Sequence, residues 1–340
     1  MSEPDSPPQR HVLKGMPRLR YERPEDSLLD ARTSVRRWWW EFLRLSKDYW
    51  LVCQTSRGIQ IATEDERLRR VYRRFGDIYN QSFDAWWLDR GYRVFSEVER
   101  FPKVTEVPRD PVRRKSQKPE ADKIWVEVPL KLSKRTIQKQ IGKLLDEYES
   151  SRLARRLELS SAEFKIQPAQ VGIHTLKKVH EAHALHRELI DKPKWLAQNQ
   201  PDFVAPATRA DLFRIGKLLR ISPSNESLYG EPADVRKRLN RMRVAVSRLL
   251  SRSEQLLANV EQGIFPSYKA VDLTAARFTR RQLERHRELE PQWWALDLVS
   301  DLSSDKLAGI KAIRYEEPER TRQNDLLNDP RTRRVIVRNA

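Results

Sequence analysis

The fold class that the sequence predicts is mainly α: a multi-domain helical protein with a minor β element near 124–130. Three observations predict it. Apolar residues recur at spacings of three and four through most of the chain, the period of one helix face. Glycine is scarce, ten residues in 340, where a fold built on tight hairpins or phosphate loops needs more. At 340 residues the chain is also too long for one small core, given typical domains of roughly 100 to 200 residues.

Taken in order, residues 1–26 read as a mobile N-terminal arm, because they hold five prolines and interspersed charges with no sustained apolar period. Residues 27–101 read as a Trp-rich helical domain. Leu28, Leu29, Val35, Trp38, Trp39, Phe42, Leu43 and Leu45 mark one helix face, and Ser46-Lys47-Asp48 breaks it. A second face runs through Leu68, Val71, Tyr72, Phe75, Ile78 and Tyr79, and a third through Phe83, Trp86, Trp87, Leu88, Tyr92, Val94 and Phe95. The adjacent tryptophans, Trp38 to Trp40 and Trp86-Trp87, invite a base-stacking role. Adjacent tryptophans opening an apolar-periodic stretch are more often core, and core is the reading taken.

Residues 102–123 combine four prolines with dense charge and read as a linker. A strand-plus-helix domain follows over 124–200. Ile124, Trp125, Val126, Val128 and Leu130 form a β-like run that Pro129 confines to an edge. Ser133 then sits where it caps a helix carrying Ile137, Ile141, Leu144 and Leu145 inward, with Lys134, Arg135 and Lys139 outward, where they could meet a phosphate or simply water. His174, His180, His183 and His186 fall in the next helix. Their spacing drifts around the helix instead of pairing at four, so they read as solvated polar positions and not as metal ligands.

The strongest functional signal lies in 201–270. Thr208 is placed to cap a helix with Leu212, Ile215, Leu218 and Leu219 inward, and Gly216 allows a neighbouring helix to approach closely. Ile221-Ser222-Pro223-Ser224-Asn225 stops it. After Gly230 and Pro232 a long helix carries Val235, Leu239, Met242, Val246, Leu249, Leu250 and Leu257 on one side. It also carries Arg236, Lys237, Arg238, Arg241, Arg243, Arg248 and Arg252, with Asp234 the only acid between Pro232 and Ser253. Residues 271–330 form a C-terminal helical segment around Trp293, Trp294, Leu296 and Val299, and 331–340 a basic tail.

The order of helix, polar break and basic helix resembles a helix-turn-helix module, with FRIGKLLRIS in the place of its first helix. The break from Arg220 to Pro232 is longer than the usual three or four residues, and the helix after it is long enough to serve packing or dimerisation. The resemblance implies contact with double-stranded DNA through Arg236, Lys237, Arg238, Asn240, Arg241 and Arg243, Asn and Arg for base edges and Lys for phosphate. The blocks RRWWWEFLRLSKDYWLV, FDAWWLDRG and ANVEQGIFP also resemble uncharacterised proteins found with integrases on bacterial mobile elements. That family has no established activity to transfer.

Composition agrees with a polyanionic partner: 66 Lys and Arg against 48 Asp and Glu give a formal charge of +18. No apolar run approaches the ~18 residues of a spanning helix. The polar, acidic start MSEPDSPPQR has no export signal's apolar core, so a cytoplasmic protein without a membrane partner is expected. Cys53 is the single cysteine, which excludes an intramolecular disulfide and a Cys-rich zinc site. No phosphate loop, nucleophile elbow or HExxH helix is present, and Glu163-Phe164-Lys165 with Asp202 matches a nuclease motif only in the wrong order. The reading is a non-enzymatic DNA-binding protein without a cofactor, with the apolar stripe of the long helix hinting at a homodimer. The alternatives are an interaction or scaffold protein with a basic surface and, further off, a metal-dependent nuclease.

Overall fold

The computed structural model describes residues 23–55, 62–96, 126, 128–129, 131–148, 162–167, 171–203, 211–272, 276–300 and 302–315. These are mainly helical, as expected, and no strand occurs among them. Val126, Val128 and Pro129 carry no regular structure, and both valines are exposed; the rest of the 124–130 run lies outside the described residues. So do the linker 102–123, the tail 331–340 and all but the end of the arm, where the helical start falls at Pro24.

Local chemistry sets the helix ends. Helix α1 (Pro24–Thr33) begins with proline in its first turn, where no amide partner is needed. Ser34 caps α2 (Val35–Arg44) by accepting from the Arg36 amide, and Ser46 accepts from the Tyr49 amide at the head of α3 (Lys47–Thr55). Asp65 caps α4 (Glu66–Phe75) through the amides of Arg67 and Leu68. Helices α5 (Phe83–Trp86) and α6 (Tyr92–Phe95) are joined by a π turn at Trp87–Gly91. Gly91 is required there, since a Cβ would stand 2.5 Å from the Trp86 ring. Ser133 caps α7 (Lys134–Tyr148) through the Thr136 amide, as its position predicts.

A second π turn, Arg187–Asp191, links α8 (Ile173–His186) to α9 (Lys192–Asn199). Asp211 caps α10 (Leu212–Leu218) by accepting from the Arg214 amide; Thr208, expected in that role, lies outside the described residues. The chain then passes Arg220, at φ 47°, and a short 3-10 turn, Pro223–Asn225, into the long α11 (Pro232–Glu261). Helix α12 (Arg280–Ala295) opens on a capping box between Thr279 and Gln282, and α13 (Ser304–Tyr315) follows.

The inner face of α11 packs on α10, α8, α2 and α4, and α12 packs on α3. Trp39 stands at the centre, fully buried, with the rings of Phe75, Phe95, Phe164 and Phe265 at 5.3 to 6.0 Å in stacked, tilted and edge-on arrangements. Ile166 and Phe265 form an isolated parallel β-bridge that ties the 162–167 segment to the end of α11. One continuous set of buried side chains runs from Ala31 to Ile313. The stretches 27–101, 124–200, 201–270 and 271–330, read from the sequence as separate units, all contribute to it. None of the described side chains of α7, residues 134–144, belongs to that core.

Candidate nucleic-acid interface

Helix α11 is amphipathic from Pro232 to Arg252. Met242 and Val246 are buried, and Leu239, Leu249 and Leu250 are half-buried, all on one side; Arg236, Lys237, Asn240, Arg241, Val244, Ser247, Arg248, Ser251 and Arg252 are exposed on the other. Gly216 sets the depth of the inner contact: a Cβ at this position would stand 2.5 Å from Met242 Cγ and Sδ and 3.1 Å from Val246. The close approach expected of Gly216 is therefore made, and the close-packed α10 holds the basic face of α11 outward. Helical geometry places Lys237, Arg241, Arg248 and Arg252 within a narrow azimuth, on a stripe roughly 22 Å long at 1.5 Å per residue.

Three of the residues expected here have partners within the chain. Arg238 is half-buried and donates to the carbonyls of Ser227 and Tyr229, so it fastens the preceding loop to α11. Arg243 pairs with Asp211, the cap of α10, at 2.9 Å. Lys237 lies 3.3 Å from Asp234, an exposed pair that a polyanion can replace at small cost. Arg236, Asn240 and Arg241 show no ion pair or hydrogen bond of their side chains among the described residues. Lys134, Arg135 and Lys139 are exposed on α7, and no described hydrogen bond or ion pair brings them to α11.

Three features were missed by the sequence reading. Tyr229 is 86% exposed on the loop that Arg238 holds, beside the start of the basic helix. Arg248 and Arg252 continue the stripe beyond the segment expected to meet a groove. A further arginine-rich surface lies on α4, where Arg67, Arg70, Arg73 and Arg74 are exposed. The five arginines of ERLRRVYRRF were the available signal, and the segment was read only for its apolar period.

The tryptophans behave as core: Trp39, Trp40, Trp86 and Trp87 are at most 2% exposed. His174 is exposed, as expected of a solvated position, whereas His180, His183 and His186 are half-buried and correct that expectation. His180 packs edge-on against Trp38 and Phe42, and His186 Nδ1 lies 2.8 Å from Asp191. Burial, with His180 and His186 nearby, pushes His183 down to about 4. Among the described residues no group of three or more His, Cys, Asp or Glu is arranged to hold a metal ion. Glu163, the carboxylate of the would-be nuclease motif, is paired with Arg70 and Arg74. The apolar stripe of α11 that hinted at a dimer is covered by α2, α8 and α10 of the same chain. No helix among the described residues is long and apolar enough to cross a membrane.

What the arrangement offers chemically is a row of exposed cations along one side of a long helix. Comparison with protein-family models, with curated proteins and with solved structures finds no match to this chain.

Proposed function

We propose that this chain is a non-enzymatic DNA-binding protein that lays the exposed face of α11 against a duplex. The observation that carries the reading is the stripe of Lys237, Arg241, Arg248 and Arg252, exposed on one side of a helix that has no acidic residue between Asp234 and Glu254. Cations so arranged release counterions from a phosphate backbone, the main sequence-independent source of affinity. A helix about 10–12 Å across also fits a major groove about 12 Å wide. On that geometry Asn240, beside the stripe, faces base edges, and Val244, 49% exposed between Asn240 and Arg248, offers an apolar contact to a thymine methyl group. The assignment as a regulator or accessory factor of a mobile element rests on the resemblance of RRWWWEFLRLSKDYWLV, FDAWWLDRG and ANVEQGIFP to integrase-associated proteins.

The test is fluorescence anisotropy of a labelled random-sequence duplex with the full chain and with a variant carrying Lys237→Ala, Arg241→Ala, Arg248→Ala and Arg252→Ala. All four side chains are exposed, so the variant keeps its fold. A loss of affinity of at least about tenfold supports the reading. Equal binding by the two proteins, or none by either, contradicts it and favours a scaffold with a basic surface.

A further inference from the structure

A cavity of about 560 Å³ opens beside α4, lined by Glu66, Arg67, Arg70, Arg73, Arg74 and Glu163. Its floor is fixed, because Leu68, Val71 and Phe75 anchor the opposite face of α4 in the core. The guanidiniums are partly pre-positioned: Arg70 lies 5.1 Å from the centre of the Phe164 ring, and Arg67 donates to Gln262 at 3.0 Å. Glu163, carried by the 162–167 segment, reaches across and puts its carboxylate 2.7 Å from Arg74 Nε and 3.6 Å from Arg70 Nε. Glu66 lies 3.4 Å from Arg73. Four cations against two carboxylates leave the lining with two positive charges in excess.

We infer that this cleft is a phosphate-binding site in which Glu163, paired with Arg70 and Arg74, is an internal carboxylate that an incoming phosphate displaces. Guanidinium forks match the oxygens of a phosphate as well as those of a carboxylate, and the two positive charges in excess draw a phosphodiester chain or, with its second negative charge, a terminal phosphate. The exchange is cheap because Arg70 and Arg74, 56% and 58% exposed, hold Glu163 where solvent screens the pair. Chemistry of this kind is supplied either by the backbone of a nucleic acid or by a free phosphorylated molecule. The site uses none of the α11 residues, so it stands apart from the duplex reading.

The experiment is isothermal titration calorimetry of the full chain with inorganic tripolyphosphate, in the wild type, in Glu163→Gln and in Arg70→Gln/Arg74→Gln, with circular dichroism as the check on folding. Removing the internal competitor tightens binding about tenfold, and removing the two arginines weakens it by at least about tenfold. A merely structural role for Glu163 cannot give the gain. Parallel titrations with a short duplex identify the source. If duplex affinity follows the same order, the phosphate is a nucleic-acid backbone; if it does not move while tripolyphosphate does, the ligand is a free phosphorylated molecule. The inference is overturned if neither the wild type nor Glu163→Gln binds tripolyphosphate at about 1 mM, or if Arg70→Gln/Arg74→Gln binds as well as the wild type.

Discussion

Changing Arg277 to methionine removes the cation at the centre of a largely buried network that joins distant parts of the chain. Arg277 is 11% exposed and lies 2.6 Å from Glu261, 2.7 Å from Asp48 and 3.4 Å from Asp65. Glu261 is itself buried and accepts from the Ser46 hydroxyl at 2.6 Å. At a charge separation of about 4 Å and an effective dielectric near 20, each close pair is worth about 4 kcal/mol before desolvation is subtracted. Breaking such a network from one side leaves the carboxylates uncompensated, and the expected loss is about 3–5 kcal/mol at neutral pH.

The sign with pH follows from Glu261, whose carboxyl is already raised by burial against the pull of Arg277. Without Arg277 it rises further, so the folded variant takes up a proton more readily than the unfolded chain. The stability gap to the wild type is therefore full near pH 7.5 and narrows as the pH falls toward about 5.5. Urea denaturation of both proteins at the two pH values measures it, and Glu261→Gln in the variant background recovers part of the loss. A gap under about 1 kcal/mol at pH 7.5, or one that does not change with pH, refutes the network as a source of stability.

Two further outcomes are expected. Gly216→Ala destabilises the protein by about 1 kcal/mol or more despite alanine's better helix propensity, because its methyl meets Met242. Gly142→Ala, whose Cβ meets nothing within 4 Å, costs nothing; equal urea midpoints for the two variants would contradict the packing of α10 on α11. Acidification destabilises the chain through His183, lowered from 6.5 to about 4. The unfolded chain takes the proton first, so stability held above pH 6.5 is lost as the pH falls toward 4. The loss is at most about 3 kcal/mol, and about half that once the ring's remaining solvent contact is allowed for. His174 and His286, also lowered chiefly by burial, act in the same direction. His183→Leu flattens the urea midpoint between pH 6.5 and 4, and an unchanged profile would show that this ring is not the cause.

The helices were legible wherever local chemistry decides them. The apolar periods of α2, α4 and α11 and the Ser133 cap are all written within a few residues, and at Gly216 the small residue marked a close approach although its partner, Met242, lies on another helix. Sharing of one core was not legible. Trp39 meets Phe164 and Phe265 across long stretches of chain, and neither periodicity nor linker composition carries a trace of such contacts. Proline-rich composition at 102–123 suggested a boundary, although the segments on either side of it bury side chains together. The same limit hid the α4 cleft, because Glu163 lies 89 residues from Arg74 and reaches it only in the fold. On α11 the basic residues were legible, but their separation into an exposed stripe and two structural arginines was not. Arg238 and Arg243 are used by the loop and by Asp211, contacts that depend on where α10 lies.

The most direct test of α11 as a duplex-binding face is the slope of log affinity against log salt between about 50 and 200 mM, for the wild type and for the Lys237, Arg241, Arg248 and Arg252 alanine variant. With each phosphate contact contributing about 0.9 to the slope, the wild type is expected to fall steeply and the variant to lose about 3 to 4 of that slope. Equal slopes for the two proteins would contradict the claim, whatever their absolute affinities.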